Sequence, residues 1–209
     1  MAVPMPTIAK PVDGIFRLSM GNYNQLIKFL DYVEDPDRSI KHWTANSDHQ
    51  FYLTDEVTRL IFNFAVSAVT FVDLTNNLFK VLPKTKELEQ LMVDYRLEKR
   101  KRFDSNSNYQ VIDGLRHYLV HTEMIGIARV FEYDKETGSV YTLQIEKNNL
   151  IAGKGFNKMA RKTLEKEPTA INIRVLVEEC MNDLQGFHQW LWEKQGEILN
   201  NRNFYIGSE

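Results

Sequence analysis

The chain has 209 residues, of which 43% are hydrophobic and 11% aromatic, which is enough apolar material for the core of one large domain or two small ones. This composition excludes an intrinsically disordered protein. There are 28 acidic and 26 basic residues, for a net charge of -2. Binding to nucleic acid would therefore have to rest on a local basic patch and not on the total charge.

The only cysteine and the N-terminal prolines bear on the compartment. Cys180 lies within an apolar helical pattern, so we exclude an intrachain disulfide and interpret this residue as part of the core in a reducing compartment. Pro4, Pro6 and Pro11 interrupt the region where a signal peptide needs an unbroken apolar run, and no apolar stretch reaches the roughly 20 residues of a membrane span. We therefore expect a cytoplasmic protein that is not associated with a membrane.

The N-terminal quarter is predicted to contain little regular structure. Residues 1–14 are rich in proline and are predicted to form an extended arm. A short helix follows, and it is expected to end before the Asp35-Pro36 step because proline disfavours a helical conformation in the residue before it. The polar residues 35–53 are predicted to form a loop.

Two helices are predicted next. Thr54 is a candidate N-cap for a long helix that ends near Leu82, and apolar residues on two of its faces indicate a helix that is central or shared with a second subunit. A second helix from about Lys84 ends in a cluster of cations, followed by a polar loop at 104–108. We call this cluster the basic run; it consists of Lys99, Arg100, Lys101 and Arg102. It is interpreted either as a solvated helix end or as a phosphate-binding site.

The following helix, from about 109 to 123, carries the segment of greatest interest. Its apolar residues cluster on one side at about 100° per residue, and we expect that side to face the core. The opposite side carries Asp113, Arg116, His117 and His121. Arg116 and His121 are placed to flank one groove, which suits phosphate chemistry, whereas the four-residue spacings from Asp113 suit a metal.

A β-hairpin is predicted after this helix. Ile127 to Tyr133 and Val140 to Ile145 are rich in β-branched and aromatic residues, and the turn between them ends at Gly138. Because an isolated hairpin is only marginally stable, its aromatic face should lie on the helices or on a partner. That face carries Phe131, Tyr133 and Tyr141.

The C-terminal region is predicted to contain a hinge loop and two further helices. The loop spans 150–157, where Gly153-Lys154-Gly155 lacks the spacing of a P-loop. A short basic helix is predicted over 156–165, and Thr169 is a candidate cap for a long helix to about Leu199.

The segment from Arg116 to His121 resembles the active-site signature of the HEPN ribonuclease superfamily. HEPN proteins carry an arginine, a polar residue directly after it, and a histidine four to six residues after the arginine, on a helix of an all-α bundle. Arg116, His117 and His121 match that pattern, and we call these three residues the motif. The order of the helices is similar too, with the acidic Asp73 near the middle of the long preceding helix.

The resemblance covers about residues 54–124 and 169–199, and it implies a mainly α, HEPN-like helical bundle. We expect one domain over 1–209 in which the hairpin, at about 125–147, is an insertion. The implied activity is that of a metal-independent endoribonuclease without a cofactor, acting as a homodimer whose motif helices meet across a groove. Much of the family serves as toxins or phage-defence effectors, which would imply a cognate antitoxin or sensor protein as a partner.

The resemblance also assigns roles to side chains. His121 would be the general acid or base, Arg116 would stabilise charge on the phosphate, and His117 would orient the scissile phosphate. Asp73 is expected to be a buried polar partner that orients Arg116 across the bundle, with Asp113 as a further supporting residue. The basic run would hold flanking RNA phosphates.

Three other hypotheses remain open. The chain is a HEPN-like dimer without catalysis that binds RNA, a nucleotide or a protein; or a metal-dependent hydrolase that uses Asp113, His117 and His121; or a protein in which the motif residues are ordinary surface side chains. Replacement of Arg116 and His121 separates the first of these from the enzyme.

Overall fold

The structure is a computed structural model, and it describes residues 9–206 except 45, 81–85, 122–123, 136–137, 153–154 and 167–169. The helices are α1 (Ala9–Glu34), α2 (Pro36–Trp43), α3 (Ser47–Lys80), α4 (Lys86–Lys99), a π-helical segment (Arg100–Asp104), α5 (Ser107–His121), α6 (Lys147–Ala152), α7 (Lys158–Lys166) and α8 (Ile173–Ile206). The strands are β1 (Ile127–Asp134), β2 (Gly138–Glu146) and β3 (Ala170–Asn172). The predicted fold class, mainly α with a β-hairpin, is confirmed.

The core lies between four of the helices. α3 packs against α1 and α5, and α8 packs against the same two helices. Leu26, Phe64, Ile112 and Phe187, one from each helix, are fully buried. Each such side chain stabilises the fold by about 1.5–3 kcal/mol relative to exposure. α3 is therefore central, which was one of its two predicted positions.

The sequence of α3 is more apolar than expected. A window within Asp48–Lys80 has a mean hydropathy of 1.5, so by length and composition this helix is able to span a membrane, contrary to our expectation that no stretch qualifies. However, 61% of the window is buried inside the protein. The central position of α3 in the bundle thus accounts for its apolar character.

The N-terminal quarter is helical, so the predicted arm and loop are wrong from Ala9 onward; residues 1–8 lie outside the described residues. Pro11 stands in the first turn of α1, where its missing N–H would have had no intrahelical acceptor. The Asp35-Pro36 step ends α1 as predicted, but it also begins α2. The Asp35 carboxylate accepts a hydrogen bond from the Asp37 N–H at 2.9 Å, which makes Asp35 an N-cap.

α3 begins earlier than predicted. It starts at Ser47, and the hydroxyl of Thr54 donates to the Gln50 carbonyl at 3.0 Å inside the helix. Thr54 is therefore not an N-cap. The predicted end of this helix, near Leu82, lies outside the described residues.

The hairpin is confirmed and is part of a larger sheet. β1 and β2 pair antiparallel from Ile127 opposite Ile145 to Asp134 opposite Gly138. β3, which was not predicted, pairs with Gln144–Glu146 of β2, so the strand order is β1-β2-β3. Where a hinge loop was predicted to begin, the chain forms α6 instead. Gly153, Lys154 and Thr169 lie outside the described residues.

Candidate active site

α5 presents the motif at its C-terminal end. Its apolar side faces the core as predicted, with Val111, Ile112, Leu115 and Tyr118 all buried. The motif residues on the other side are accessible: Arg116 and His117 are half-buried, and His121 is exposed as the last residue of the helix. The helix therefore directs one cation and two imidazoles to solvent within its last two turns.

Arg116 is held by neighbours on its own helix. Its Nη2 donates to Oδ1 of Asp113 at 2.9 Å and lies 2.9 Å from Nε2 of His117. Because a guanidinium is only a donor, Nε2 of His117 must be the acceptor, and the proton of this neutral ring is then on Nδ1. Nε of Arg116 is buried without a hydrogen-bond partner among the described residues.

The two histidines lie beside each other. The ring centroids of His117 and His121 are 6.2 Å apart and the rings are nearly parallel, as their four-residue spacing on a helix requires. One ligand in front of this helix end is therefore able to contact both imidazoles and the guanidinium. This arrangement places a charge-stabilising guanidinium next to two imidazoles, the side chain most often used as a general acid or base.

Asp73 is not in the predicted environment. It is exposed on α3, so the expectation of a buried polar partner for Arg116 is wrong. The carboxylate that pairs with Arg116 is Asp113, three residues earlier on α5. A partner at this spacing on the same helix could be read directly from the sequence.

The basic run lies at the other end of α5 and is partly neutralised. Lys99 pairs with Asp104 at 2.5 Å, and Arg102 pairs with Glu98 and lies 3.8 Å from Asp183. Arg100 and Lys101 remain exposed. At 1.5 Å per residue, Arg116 is about 14 Å along the helix axis from the start of α5, and the run lies before that start.

One contact on the motif helix was missed by sequence analysis. Residues 155–157, which we call the docking loop, lie against α5 just before α7. Gly155 has φ +114°, and a Cβ added to it would lie 2.9 Å from Cβ of His117. The next residue, Phe156, packs against Gly114 and Tyr118. The docking loop therefore supports the backbone that carries His117.

Comparison of the chain with protein-family models, curated proteins and solved structures finds no match. Within the described part of the chain, no group of three or more His, Cys, Asp or Glu side chains is arranged to hold a metal ion.

Proposed function

We propose that this chain is a metal-independent endoribonuclease of the HEPN type and that the motif is its active site. The observation that carries the proposal is the cluster at the end of α5. There Arg116 contacts His117 through a 2.9 Å hydrogen bond, and His121 follows one turn later on the same accessible surface. The cluster thus offers a cation for the charge on the phosphorane and an imidazole for proton transfer.

The reaction would begin with attack of the RNA 2′-hydroxyl on the adjacent phosphorus. One base removes the 2′ proton, one acid protonates the departing 5′-oxygen, and the products are a 2′,3′-cyclic phosphate and a 5′-hydroxyl. His121, which is exposed, is the proposed acid or base, and Arg116 stabilises the negative charge on the phosphorane. His117 orients the phosphate through the proton on its Nδ1.

The ion pair with Asp113 has a specific consequence for this mechanism. Asp113 and an RNA phosphate compete for the same guanidinium, because the Asp113 carboxylate already accepts from Nη2 of Arg116. Asp113 therefore positions the arginine in the free protein, and the phosphate must bind through the remaining donors or displace the carboxylate.

The second candidate is a dimeric HEPN-like module that binds RNA, a nucleotide or a protein without cleaving. The ion pair between Asp113 and Arg116 favours it, because the carboxylate competes with a phosphate for the guanidinium. In either case we place the protein in the cytoplasm. A role as a toxin or phage-defence effector, with a cognate antitoxin or sensor protein, follows from the family resemblance alone.

The decisive experiment is cleavage of mixed cellular RNA in EDTA by the wild type and by His121→Ala. We expect the wild type to produce 2′,3′-cyclic phosphate ends and the variant to lose at least about 100-fold in rate, which is the usual contribution of a general acid or base. His49→Ala is the matched control, since His49 stands in the first turn of α3 and its imidazole pairs with that of His42 on α2 at 3.1 Å. This variant should cleave at the wild-type rate.

A wild-type protein that binds RNA in EDTA without cleaving it would favour the binding module. Equal cleavage by the wild type and His121→Ala would remove His121 from the mechanism. Loss of cleavage in Arg116→Lys with RNA binding retained would support the role of the planar guanidinium, because lysine keeps the charge but not the paired donors.

A further inference from the structure

We propose that α7 carries the surface that binds the RNA backbone. Three of its side chains, Lys158, Lys162 and Lys166, form what we call the lysine stripe. This inference rests on the proposed function, because it concerns the binding of the same RNA substrate. It assigns phosphate binding to α7 and not to the basic run.

The lysine stripe follows from the spacing of charges in α7. The nine residues of this helix include four cations and one carboxylate, Glu165. Residues 158, 162 and 166 are four apart, so they fall on one face with about 6 Å of rise between neighbours. The opposite face is buried through Ala160 and Leu164. Packing therefore orients the lysines outward.

The lysines of the stripe are available to a ligand. All three are exposed, and the described residues offer them no ion pair. The fourth cation, Arg161, is engaged differently, since it donates to the carbonyls of Phe156 and Ile151 at 3.0 Å. Arg161 thus ties the docking loop to α6, and the lysine stripe carries the unneutralised charge.

The lysine stripe belongs to a helix that is a direct neighbour of the motif helix. α7 packs along α5, and the Asn157 side chain at its start donates to the side chain of Gln110. β3 begins four residues after α7 and pairs with β2 up to Glu146. The N–H of Glu146 donates to the carbonyl of Gly126 at 2.9 Å, and Gly126 lies just beyond α5. The start of α7 thus lies at Gln110, and the strand that follows α7 belongs to the sheet that contacts Gly126, just beyond the motif.

The basic run fits the same role less well. Two of its four cations are paired with carboxylates, whereas all three lysines of the stripe are exposed and have no ion pair among the described residues. A strand of RNA that lies along α7 would pass the motif helix over its length. Since the net charge of the chain is -2, such a local surface is needed for the phosphates.

Two double variants test the proposal, each removing two exposed cations: Lys158→Gln with Lys162→Gln, and Arg100→Gln with Lys101→Gln. The probe is a fluorescein-labelled 2′-O-methyl oligonucleotide, which keeps its phosphates but lacks the attacking hydroxyl. Binding is followed by fluorescence anisotropy between 50 and 200 mM salt. The loss of two phosphate contacts should weaken binding on the order of 20-fold near 0.1 M salt and lower the salt slope by about 1.4.

We expect this loss of oligonucleotide affinity in the α7 variant, and an affinity near that of the wild type in the basic-run variant. Equal losses in both variants, a loss only in the basic-run variant, or no binding by the wild type would each overturn it. Cleavage of natural RNA is measured separately: binding through α7 without cleavage would reject the proposed ribonuclease and leave this inference standing. Cleavage of natural RNA by the wild type, together with unchanged binding by the α7 variant, would support the proposed ribonuclease and reject this inference.

Discussion

The half-buried imidazole of His188 couples the stability of this fold to pH. Its ring stacks on Phe16 at 3.9 Å, and its Nε2 accepts a hydrogen bond from Nε1 of Trp192 at 3.0 Å. Oδ1 of Asp13 lies 3.4 Å from the same nitrogen, and Asp13 is itself paired with Arg17. Burial lowers the pKa of His188, and the nearby Asp13 opposes that shift without reversing it.

The sign of the pH dependence follows from this lowered pKa. In the unfolded chain His188 takes up a proton near pH 6.5, whereas in the folded chain it does so only at lower pH. The stabilisation is therefore complete above pH 6.5 and is lost as the pH falls below it. His188→Gln keeps an acceptor for Trp192 and does not titrate. When the pH is lowered from 7.5 to 5.5, we expect the urea midpoint of the His188→Gln variant to fall less than that of the wild type. Identical falls would contradict this role, since the other four histidines are common to both proteins.

At the scale of elements, the docking loop and α5 depend on a glycine. Gly155→Ala would place a methyl group 2.9 Å from Cβ of His117, in a backbone conformation that L-residues rarely adopt. We expect a loss of about 1–2 kcal/mol in the free energy of unfolding, and a loss of RNA cleavage if the docking loop positions His117. The matched control is Gly21→Ala, because Gly21 is inside α1 with no atom within 4 Å of the added Cβ. This control should gain roughly 0.5–1 kcal/mol, and urea denaturation measures both; equal effects would contradict the prediction.

Local sequence patterns predicted the elements that residues close together in the sequence determine. The hairpin was found because β-branched and aromatic residues on either side of a turn mark it, and the apolar side of α5 because helical periodicity marks it. The predicted loop at 35–53 was wrong because Asp35-Pro36 both ends one helix and begins the next, and only the structure reveals the second role. β3 has three residues and is defined by pairing with Gln144–Glu146, which no local signal encodes.

The same distinction holds within the candidate site. The motif could be found from spacing on one helix, and so could the ion pair between Asp113 and Arg116. The exposure of Asp73 and the contact of Gly155 with His117 depend on how distant segments pack, so the sequence alone did not predict them.

At the scale of the whole molecule, a groove between two motif helices would require a second copy of the chain. Two exposed apolar side chains flank the end of α5: Val120, 53% exposed, and Met124, 55% exposed. A second exposed apolar surface, at the end of the hairpin, carries Phe131 and Tyr133, 55% and 70% exposed. Phe131 packs on Tyr141 beside a cleft of about 250 Å³ between the hairpin and the end of α1.

The two surfaces predict different dimers, and matched variants distinguish them. If the motif helices meet across the groove, Val120→Glu buries a carboxylate at the interface, where an unpaired charge costs several kcal/mol. Light scattering should then give the mass of one chain, and cleavage in EDTA should fall together with the dimer. Tyr133→Glu places the same charge on the hairpin and should remain dimeric and active. The opposite result would place the interface at the hairpin, and the two motifs would then act separately.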